Sequence, residues 1–435
     1  MNFSVISIGT ELTLGLILNT NSRYIAEELT DLGLECNYMI TVRDNEEDIV
    51  NSIKICADLS DIIIISGGLG PTDDDMTRSA VAKYFNVPLK QDRALDTSSL
   101  KFLKYIKNNK IKINLIRQSF IPEGSLPIKP RIGSASGFTA LNAEKLIFSI
   151  PGVPREMRDM FDGDVIPHIR KFLSEKNFGA AVARDGSKRY QEKIIKKSVL
   201  LSTDISESQM EFSIRGIKPL ASKLNIDIGV TANPGLIKIM LIARAQDLKQ
   251  CENNLGIIEE KIREAIGEHI YWKGEGSIGD SIKQVIEQKT KKITVSTAES
   301  ITGGLISSLI TDAPGSSVYF LGSIVSYSNF VKENILGVSH DLINKEGAVS
   351  SKVCLSMAEK ARRIFKSDFA LSATGFAGPT SDEHDRDVGH VYTGIVGPDG
   401  FTEVYEKKFI GTRADIKFRT AQFILNRLRL AIIKF

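Results

Sequence analysis

The stretch Asp61–Arg78, DIIIISGGLGPTDDDMTR, places a continuous apolar run directly before a glycine-rich loop and a helical pattern. Four consecutive isoleucines indicate a strand buried on both faces, which is typical of a parallel sheet covered by helices. Upstream, FSVISIG and CNYMITV predict strands that alternate with amphipathic helices in NSRYIAEELTDLGL and EEDIVNSIKICADL. This order predicts an α/β domain with a parallel sheet over residues 1–172.

Two further regions follow this domain. Residues 173–255 combine a basic run with LNIDIGVTANPGLIKIMLIARA, which predicts two strands around an Asn-Pro-Gly turn and hence a small α+β middle module. The glycine-rich segment KGEGSIGD leads into a second α/β pattern over residues 275–435, with predicted strands in KKITVST and DFALSATG and a long C-terminal helix. The sequence therefore predicts three regions with two separate α/β folds.

The composition is that of a soluble globular protein with two or three domains. The chain has 435 residues, 42% of them hydrophobic and 25% charged, and a formal net charge of +3. A charge this close to neutrality argues against nucleic acid or a membrane surface as the main partner. No signal-like segment or apolar run of about 20 residues is present, so we expect a cytoplasmic protein. The four cysteines are far apart and are expected to be free thiols.

The first candidate site is the loop that follows the isoleucine strand. Its glycines allow positive φ and let backbone N–H groups approach an anion near the start of the next helix, beside Asp73, Asp74 and Asp75. That pattern suits a phosphate held by amides and a carboxylate-bound metal, or a structural turn with an aspartate cap. Glu11 and Asn21 follow the first strand, and Asp44 follows the second. We expect all of them at the carboxyl ends of the parallel strands.

The second candidate site centres on STAESITGGL, residues 296–305. It places Ser300 at a strand-to-helix turn, where unpaired amides around Thr302, Gly303 and Gly304 could face an oxyanion or a phosphate. SIVSYSNFVKENILG adds Tyr327 and Lys332, and a lysine can act as a general base if its pKa is lowered. The strand that ends in ATGFAGP places Thr374, Gly375 and Gly378 at the same sheet edge. Taken singly, a serine cap, a packed tyrosine or a solvated lysine would explain each residue.

The N-terminal motifs resemble a known family. IGTELTLGLILNTNSRYIAEEL, SGGLGPTDDDMTR and IPGVPREM are similar to the amino-terminal domain of the CinA family, whose fold is similar to the molybdopterin-binding fold of MoaB and MogA. The resemblance implies metal-dependent ADP-ribose pyrophosphatase activity, with Asp44 and Asp75 as catalytic acids that also hold a divalent metal. It implies substrate contacts from Glu11, Asn21, Gly67, Gly68, Gly70 and Thr72.

The C-terminal motifs resemble the same family. TAESITGGL, TDAPGSSVYFLGSIVSYSNFVKENILGV, GAVSSKV and ATGFAGP look like the carboxy-terminal CinA domain, a PncC-type nicotinamide mononucleotide deamidase. The resemblance implies a nucleophile at Ser300, a base at Lys332 and a proton-orienting hydroxyl at Tyr327, with no cofactor. It implies substrate contacts from Glu299, Thr302, Gly303, Gly304, Thr374, Gly375, Gly378 and Arg386. Ile301, beside the nucleophile, is expected to pack into the core.

The sequence thus predicts a pyridine nucleotide salvage hydrolase that acts on small nucleotides and recycles NAD. We also expect a homodimer. One alternative is a nucleotide- or molybdopterin-like-ligand binding protein in which one or both halves have lost catalysis. Another is DNA binding through the basic segment 184–197, which the near-neutral net charge disfavours.

Overall fold

The computed structural model describes residues 1–72, 74–92, 95, 117–142, 145–180, 194–379 and 388–435. Asp73, Arg386 and most of the basic segment 184–197 lie outside these residues. The chain divides into two compact units. The first comprises Met1–Lys196 with Arg244–Leu248, and the second comprises Lys197–Ala243 with Lys249–Phe435.

The first unit alternates strands and helices over its first 85 residues, as the sequence predicts. Its elements are β1 (Asn2–Ile8), α1 (Thr10–Thr13), α2 (Thr20–Asp31), β2 (Glu35–Val42), α3 (Glu46–Leu59), β3 (Ile62–Ser66), α4 (Thr77–Phe85), β4 (Leu89–Gln91), β5 (Phe120–Pro122), β6 (Leu126–Ile128), β7 (Gly137–Asn142), β8 (Lys145–Ile150), α5 (Pro154–Met160), a π-helical turn (Phe161–Val165) and α6 (Ile166–Ala180).

The main sheet of this unit has the strand order β2-β1-β3-β8-β7-β6. Strands β2, β1, β3 and β8 are parallel, whereas β7 and β6 pair antiparallel at the other end of the sheet. The expected parallel sheet is therefore confirmed for four strands and extended by two antiparallel strands. These two are joined by short connections, which antiparallel pairing permits and parallel pairing does not.

The isoleucine strand β3 is buried on both faces. Ile62 and Ile64 pack in one apolar cluster with Ile25 and Leu29 of α2. Ile63 and Ile65 point to the opposite face and pack with the apolar side of α3. Alternation of side chains along a strand explains why one continuous apolar run supplies two cores.

The remaining chain forms the middle module and the C-terminal α/β region. Its elements are β9 (Ile194–Ser202), α7 (Glu207–Ile214), α8 (Lys218–Lys223), β10 (Ile226–Asn233), β11 (Leu236–Ala245), α9 (Leu248–Ile266), β12 (Ile270–Lys273), α10 (Ile278–Glu287), β13 (Val295–Glu299), α11 (Leu305–Thr311), β14 (Phe320–Val325), α12 (Asn329–Asn334), α13 (His340–Glu346), α14 (Ser351–Phe365), β15 (Phe369–Gly375), β16 (His390–Val396), β17 (Thr402–Lys408) and α15 (Arg413–Lys434).

The middle module is α+β, with a four-stranded sheet in the order β10-β11-β9-β12. The C-terminal sheet has the order β14-β13-β15-β16-β17. In it β13 pairs parallel with both β14 and β15, and β16 and β17 continue antiparallel. The carboxyl ends of β13, β14 and β15 therefore lie at one edge, which places their loops together.

The C-terminal sheet is covered on both faces. The long helix α15 packs Ile424, Leu425 and Leu428 into one cluster together with Leu371 of β15. Helix α14 packs Met357 into a second cluster on the other face. In the described part of the chain, no helix is both long and apolar enough to cross a membrane. All four cysteines are free thiols, as expected.

Candidate active site

Ser300 and Lys332 come together at the carboxyl edge of the C-terminal sheet. Ser300 directly follows β13, and its backbone N–H donates to the Ala373 carbonyl of β15 at 2.9 Å. Lys332 lies in the short helix α12, which begins after β14, with Ser328 as its N-cap. The Lys332 ammonium donates to Ser300 Oγ at 3.1 Å. The structure thus brings together two residues that are 32 positions apart in sequence.

The lysine of this pair is buried, and none of the carboxylates in the described part of the chain forms a salt bridge with it. Lys332 is 2% exposed and Ser300 is 9% exposed. Besides Ser300, the ammonium donates to the carbonyl oxygens of Ser326 and Tyr327, at 2.8 and 3.4 Å. Burial lowers the pKa of Lys332 to about 8, because the charged form loses its hydration. A lysine with this pKa is partly neutral near physiological pH and can accept the proton of the adjacent hydroxyl.

Glu299, the residue before Ser300, holds the turn that follows. Its side chain is fully buried. One carboxylate oxygen accepts from the backbone N–H groups of Gly304 and Ile306 and from the Thr302 hydroxyl, at 2.8 to 3.0 Å. The other accepts from the backbone N–H and hydroxyl of Ser307. A buried carboxylate at a helix start is stabilised by these donors and by the helix dipole.

These contacts correct the expectation of free amides at the helix start for Gly303 and Gly304, though not for Thr302. The N–H of Gly304 is occupied by Glu299, and that of Gly303 donates to the Ser300 carbonyl at 3.1 Å. For Gly304 the expectation was wrong because the Glu299 side chain folds back over the turn and accepts from this N–H. Sequence spacing does not reveal such a contact. Both Glu299 carboxylate oxygens accept hydrogen bonds from the protein, so they are occupied by the turn and not by a ligand. Ile301 is buried in the core, as expected.

Tyr327 is brought to the edge of the site by a residue that the sequence did not suggest. Its side chain is 60% exposed, and its hydroxyl accepts from Arg413 at 2.7 Å. The same guanidinium donates to the Gly378 carbonyl at 2.7 Å. Only the backbone carbonyl of Tyr327 contacts Lys332. Arg413 is the first residue of α15, where a basic side chain has no local motif that would indicate a role.

The loop after β15 joins the site only in part. The Thr374 hydroxyl is buried and donates to the Ala348 carbonyl at 3.0 Å. Gly375 lies against β16, because an added Cβ would stand 2.7 Å from the His390 carbonyl oxygen. Gly378, with φ +81°, is linked to the Tyr327 hydroxyl through Arg413. Of these three residues, Gly378 is therefore the one tied to the site.

The N-terminal glycine loop has a different arrangement. Gly67 and Gly68 have φ values of +111° and +64°, which explains why glycine is required there. The Thr77 hydroxyl donates to the Gly67 carbonyl at 2.7 Å, and the Thr77 N–H donates to the Gly68 carbonyl at 3.2 Å. Asn21 donates to Ser66 Oγ at 3.1 Å and to the Gly152 carbonyl at 2.7 Å, which links α2 to the ends of β3 and β8. The segments converge at the carboxyl ends of the parallel strands.

The acidic residues of this region are engaged by their own loops. Asp75 accepts from the N–H groups of Gly70 and Thr72 and from the Thr72 hydroxyl, at 2.5 to 2.8 Å. Asp44 Oδ2 accepts from both the N–H and the hydroxyl of Thr10, at 2.8 Å. Within the described ranges, which omit Asp73, no three His, Cys, Asp or Glu side chains form a possible metal site.

Glu11 lies next to this region without joining the two aspartates. It belongs to the short helix α1 and is exposed. Its carboxylate folds back over Gly9, where an added Cβ would stand 2.6 Å from Glu11 Oε1. This contact places the Glu11 carboxylate beside the end of β1.

Comparison with known proteins covers the whole chain. Residues 279–432 match the family model described as CinA C-terminal domain, and residues 197–271 match the Damage-inducible protein CinA KH domain. Residues 4–171 match the model described as "Probable molybdopterin binding domain", in agreement with a MoaB/MogA-like N-terminal fold. A solved structure titled protein CinA with unknown function, from Thermoplasma acidophilum, is 32% identical and covers 37% of this chain and 94% of its own, with a TM-score of 0.35.

Two full-length relatives carry the family name. A protein from Halothermothrix orenii, named as competence-damage inducible, is 37% identical over 420 residues, which are 96% of this chain and 95% of that protein. A "CinA-like protein" from Dictyoglomus thermophilum is 34% identical over 436 residues, which are the full length of both chains. Similarity of this extent, across all three matched regions, shows that the chain belongs to the CinA family of competence-damage inducible proteins.

Proposed function

We propose that the protein is a hydrolase of pyridine nucleotide salvage that converts nicotinamide mononucleotide to nicotinic acid mononucleotide and ammonia. The observation that carries the proposal is the 3.1 Å contact between Lys332 Nζ and Ser300 Oγ in a buried setting. A serine hydroxyl is a weak nucleophile unless a neighbouring base removes its proton. With a pKa of about 8, roughly a tenth of the lysine is neutral at pH 7 and ready to act.

The chemistry divides into two steps. Ser300 Oγ attacks the carboxamide carbon while Lys332 Nζ accepts the hydroxyl proton, and the resulting ammonium returns that proton to the departing ammonia. A water molecule then attacks the serine ester, again giving its proton to Lys332. The ester bond breaks, Ser300 regains its proton and the carboxylic acid leaves. Serine–lysine pairs are an established variant of the catalytic triad.

The oxyanion formed in each step needs donors near Ser300. The N–H groups of Gly303 and Gly304 already have acceptors. In the part of the chain that the structure describes, the backbone N–H groups of Ile301 and Thr302 have no hydrogen-bond acceptor. A backbone N–H directly after the nucleophile commonly serves this role in hydrolases that use a strand-to-helix turn. Tyr327 and Arg413 border the site and can orient the substrate or the proton.

The test is direct. Purified full-length protein is incubated with nicotinamide mononucleotide, and both ammonia and nicotinic acid mononucleotide are measured over time. Equal molar release of the two products is expected. Tight binding of the mononucleotide by calorimetry without any turnover would instead favour a binding protein that has lost catalysis.

Cleavage of ADP-ribose to AMP and ribose 5-phosphate is the second proposed activity, in the N-terminal half. It is supported by the glycine loop at the carboxyl ends of the parallel strands, where Asn21 bonds both Ser66 and Gly152. Asp44 and Asp75 would hold the divalent metal of this half, because magnesium is bound by one or two carboxylates together with the phosphates of its substrate. AMP release from ADP-ribose, measured with added magnesium and with a chelator, tests both the activity and its metal dependence.

A further inference from the structure

A cavity of about 740 Å³ lies beside the Ser300 turn, and it has no role in the steps above. One wall is the tip of the β10–β11 hairpin of the middle module, with Asn233, Pro234 and Leu236. The opposite wall is the first part of α15, and Leu305 of α11 completes the lining. The cavity is therefore shared between the middle module and the C-terminal α/β region within one compact unit.

The hairpin tip is held against α15 by several contacts. Pro234 and Gly235 occupy the two central positions of the turn, and Gly235 has φ +72°, a pairing typical of a type II turn. An added Cβ at Gly235 would stand 3.2 Å from the Arg419 Cα atom. The Gly235 carbonyl also accepts from the Thr203 hydroxyl at 2.8 Å. The neighbouring Asp204 pairs with Arg427 of α15. The tip is a fixed wall rather than a free loop.

The cavity adjoins the catalytic pair through three residues. Leu305 follows the Gly303–Gly304 turn that leads away from Ser300. Lys417 Nζ reaches the same turn, 3.5 Å from the position of an added Cβ at Gly303. Arg413, which lines the cavity, also donates to the Tyr327 hydroxyl. A ligand whose reacting group is at Ser300 can therefore extend into this space.

The lining suits an organic anion with an apolar or ring-shaped body. Arg413 and Lys417 contribute two positive charges. Among the described lining residues the one carboxylate is Asp415, which is engaged by the N–H and hydroxyl of Thr412, both at 2.8 Å, as part of the helix cap. The other walls are the apolar side chains of Pro234, Leu236, Leu305 and Phe418. Apolar walls with a few convergent charged groups are typical of small-molecule sites.

We propose that the hairpin tip Asn233–Leu236 is a specificity-determining wall of the substrate site, and that the cavity receives the ribose phosphate of the mononucleotide. This inference rests on the proposed deamidase function. It assigns the middle module a part in substrate binding and none in the chemical step. Removing or filling this space changes ground-state and transition-state binding equally, so the expected effect is on KM.

The experiment fills the cavity from both walls in the full-length chain. Pro234→Trp inserts an indole from the hairpin, and Ala414→Trp inserts one from α15. Lys238→Trp is the matched control, because Lys238 is exposed on β11 and does not line the cavity. We expect both filling variants to raise KM for nicotinamide mononucleotide at least about tenfold with kcat within about twofold of wild type. The control should match wild type in both constants, and melting temperatures confirm that each variant folds.

A binding measurement separates this inference from the proposed activity. Calorimetry with nicotinamide mononucleotide is carried out on Ser300→Ala and on Ser300→Ala combined with Pro234→Trp. Weaker binding by the second protein supports the cavity even if wild type releases no ammonia. Unchanged KM and unchanged affinity in folded filling variants overturn the cavity proposal while leaving the deamidase intact. Wild type that neither turns over nor binds the mononucleotide overturns both.

Discussion

The two glycine turns of the protein differ in what surrounds them, although both follow a buried strand and precede a helix. At the C-terminal turn, the fully buried Glu299 carboxylate accepts hydrogen bonds from N–H groups at the helix start, and Ser300 lies in contact with Lys332. At the N-terminal loop, Asp75 takes the amides of Gly70 and Thr72. Among the described residues around it, no lysine base and serine nucleophile are hydrogen-bonded to each other. A strand, an acid and two glycines are therefore common to both sites, and the approach of a second element distinguishes them.

The difference shows that a carboxylate near a glycine turn can be a structural part of the turn. Both Glu299 and Asp75 satisfy backbone donors that would otherwise be unpaired. Chemistry requires a further group whose pKa is changed by its surroundings, and Lys332 is such a group. On this view deamidation belongs to the paired site, and Glu299 and Asp75 are structural parts of their turns.

The largest effect is expected from Ser300→Ala. Loss of the nucleophile should reduce deamidase kcat by at least about 10³-fold, because the covalent route is closed. ADP-ribose cleavage should be unchanged, since that activity is proposed for the other unit. Both reactions are measured on the same preparation. Ser308→Ala, at an exposed position of α11, is the control and should retain full activity. Deamidation by Ser300→Ala at the wild-type rate would remove the serine from the mechanism.

Replacement of the lysine should be nearly as severe. Lys332→Met removes the base and Lys332→Arg keeps a cation that cannot give up its proton, so both should lower kcat by about 10²- to 10⁴-fold. The exposed Lys352→Met serves as the control. The Met variant should not be less heat-stable, because it removes a buried charge that no described carboxylate pairs with. Restored activity in the Arg variant would show that charge, and not proton transfer, is what the site needs.

The pH dependence should follow the same lysine. Burial lowers its pKa to about 8, and the neutral form that acts as base is present above that value. We expect kcat/KM for deamidation to rise about tenfold per pH unit below about pH 8 and to level off above that value. A stopped assay of ammonia across this range gives the profile. A value of kcat/KM that does not change with pH across this range would contradict a lysine base.

The smallest effect concerns stability. Glu299→Gln replaces one acceptor oxygen by a donor in a fully buried position, so it should lower the free energy of unfolding by about 1 to 3 kcal/mol. Asp75→Asn removes charge from a partly exposed loop acid and should cost less than about 1 kcal/mol. Urea unfolding of both variants gives the comparison. An Asp75→Asn loss larger than that of Glu299→Gln would reverse the structural ranking of the two turns.

Much of the fold follows from local patterns. The isoleucines of β3 predict a doubly covered strand, and the alternating helices around it predict the parallel sheet. The Asn-Pro-Gly sequence predicts the β10–β11 hairpin, because proline fixes φ and glycine permits the positive value that the turn needs. The two antiparallel strands β7 and β6 were not predicted, since they are short and carry no strong alternation.

The candidate site could be predicted only in part. Ser300 and Lys332 were named from their motifs, and the structure places them in contact. Arg413 was missed because its partners, Tyr327 and Gly378, lie 86 and 35 residues away in sequence. The acceptors of the Gly303 and Gly304 N–H groups, which are the Ser300 carbonyl and the Glu299 carboxylate, were missed because they depend on the geometry of the whole turn.

The sequence by itself determined the order of most strands and helices, the glycine turns and the candidate side chains for chemistry, because these depend on short-range periodicity and backbone freedom. The tertiary structure alone decided which side chains meet. Parallel pairing of β13 with β14 brings Lys332 to Ser300, and burial then lowers its pKa to about 8. Electrostatic surroundings depend on contacts that are distant in sequence, so only the folded chain can separate the paired site from the structural turn.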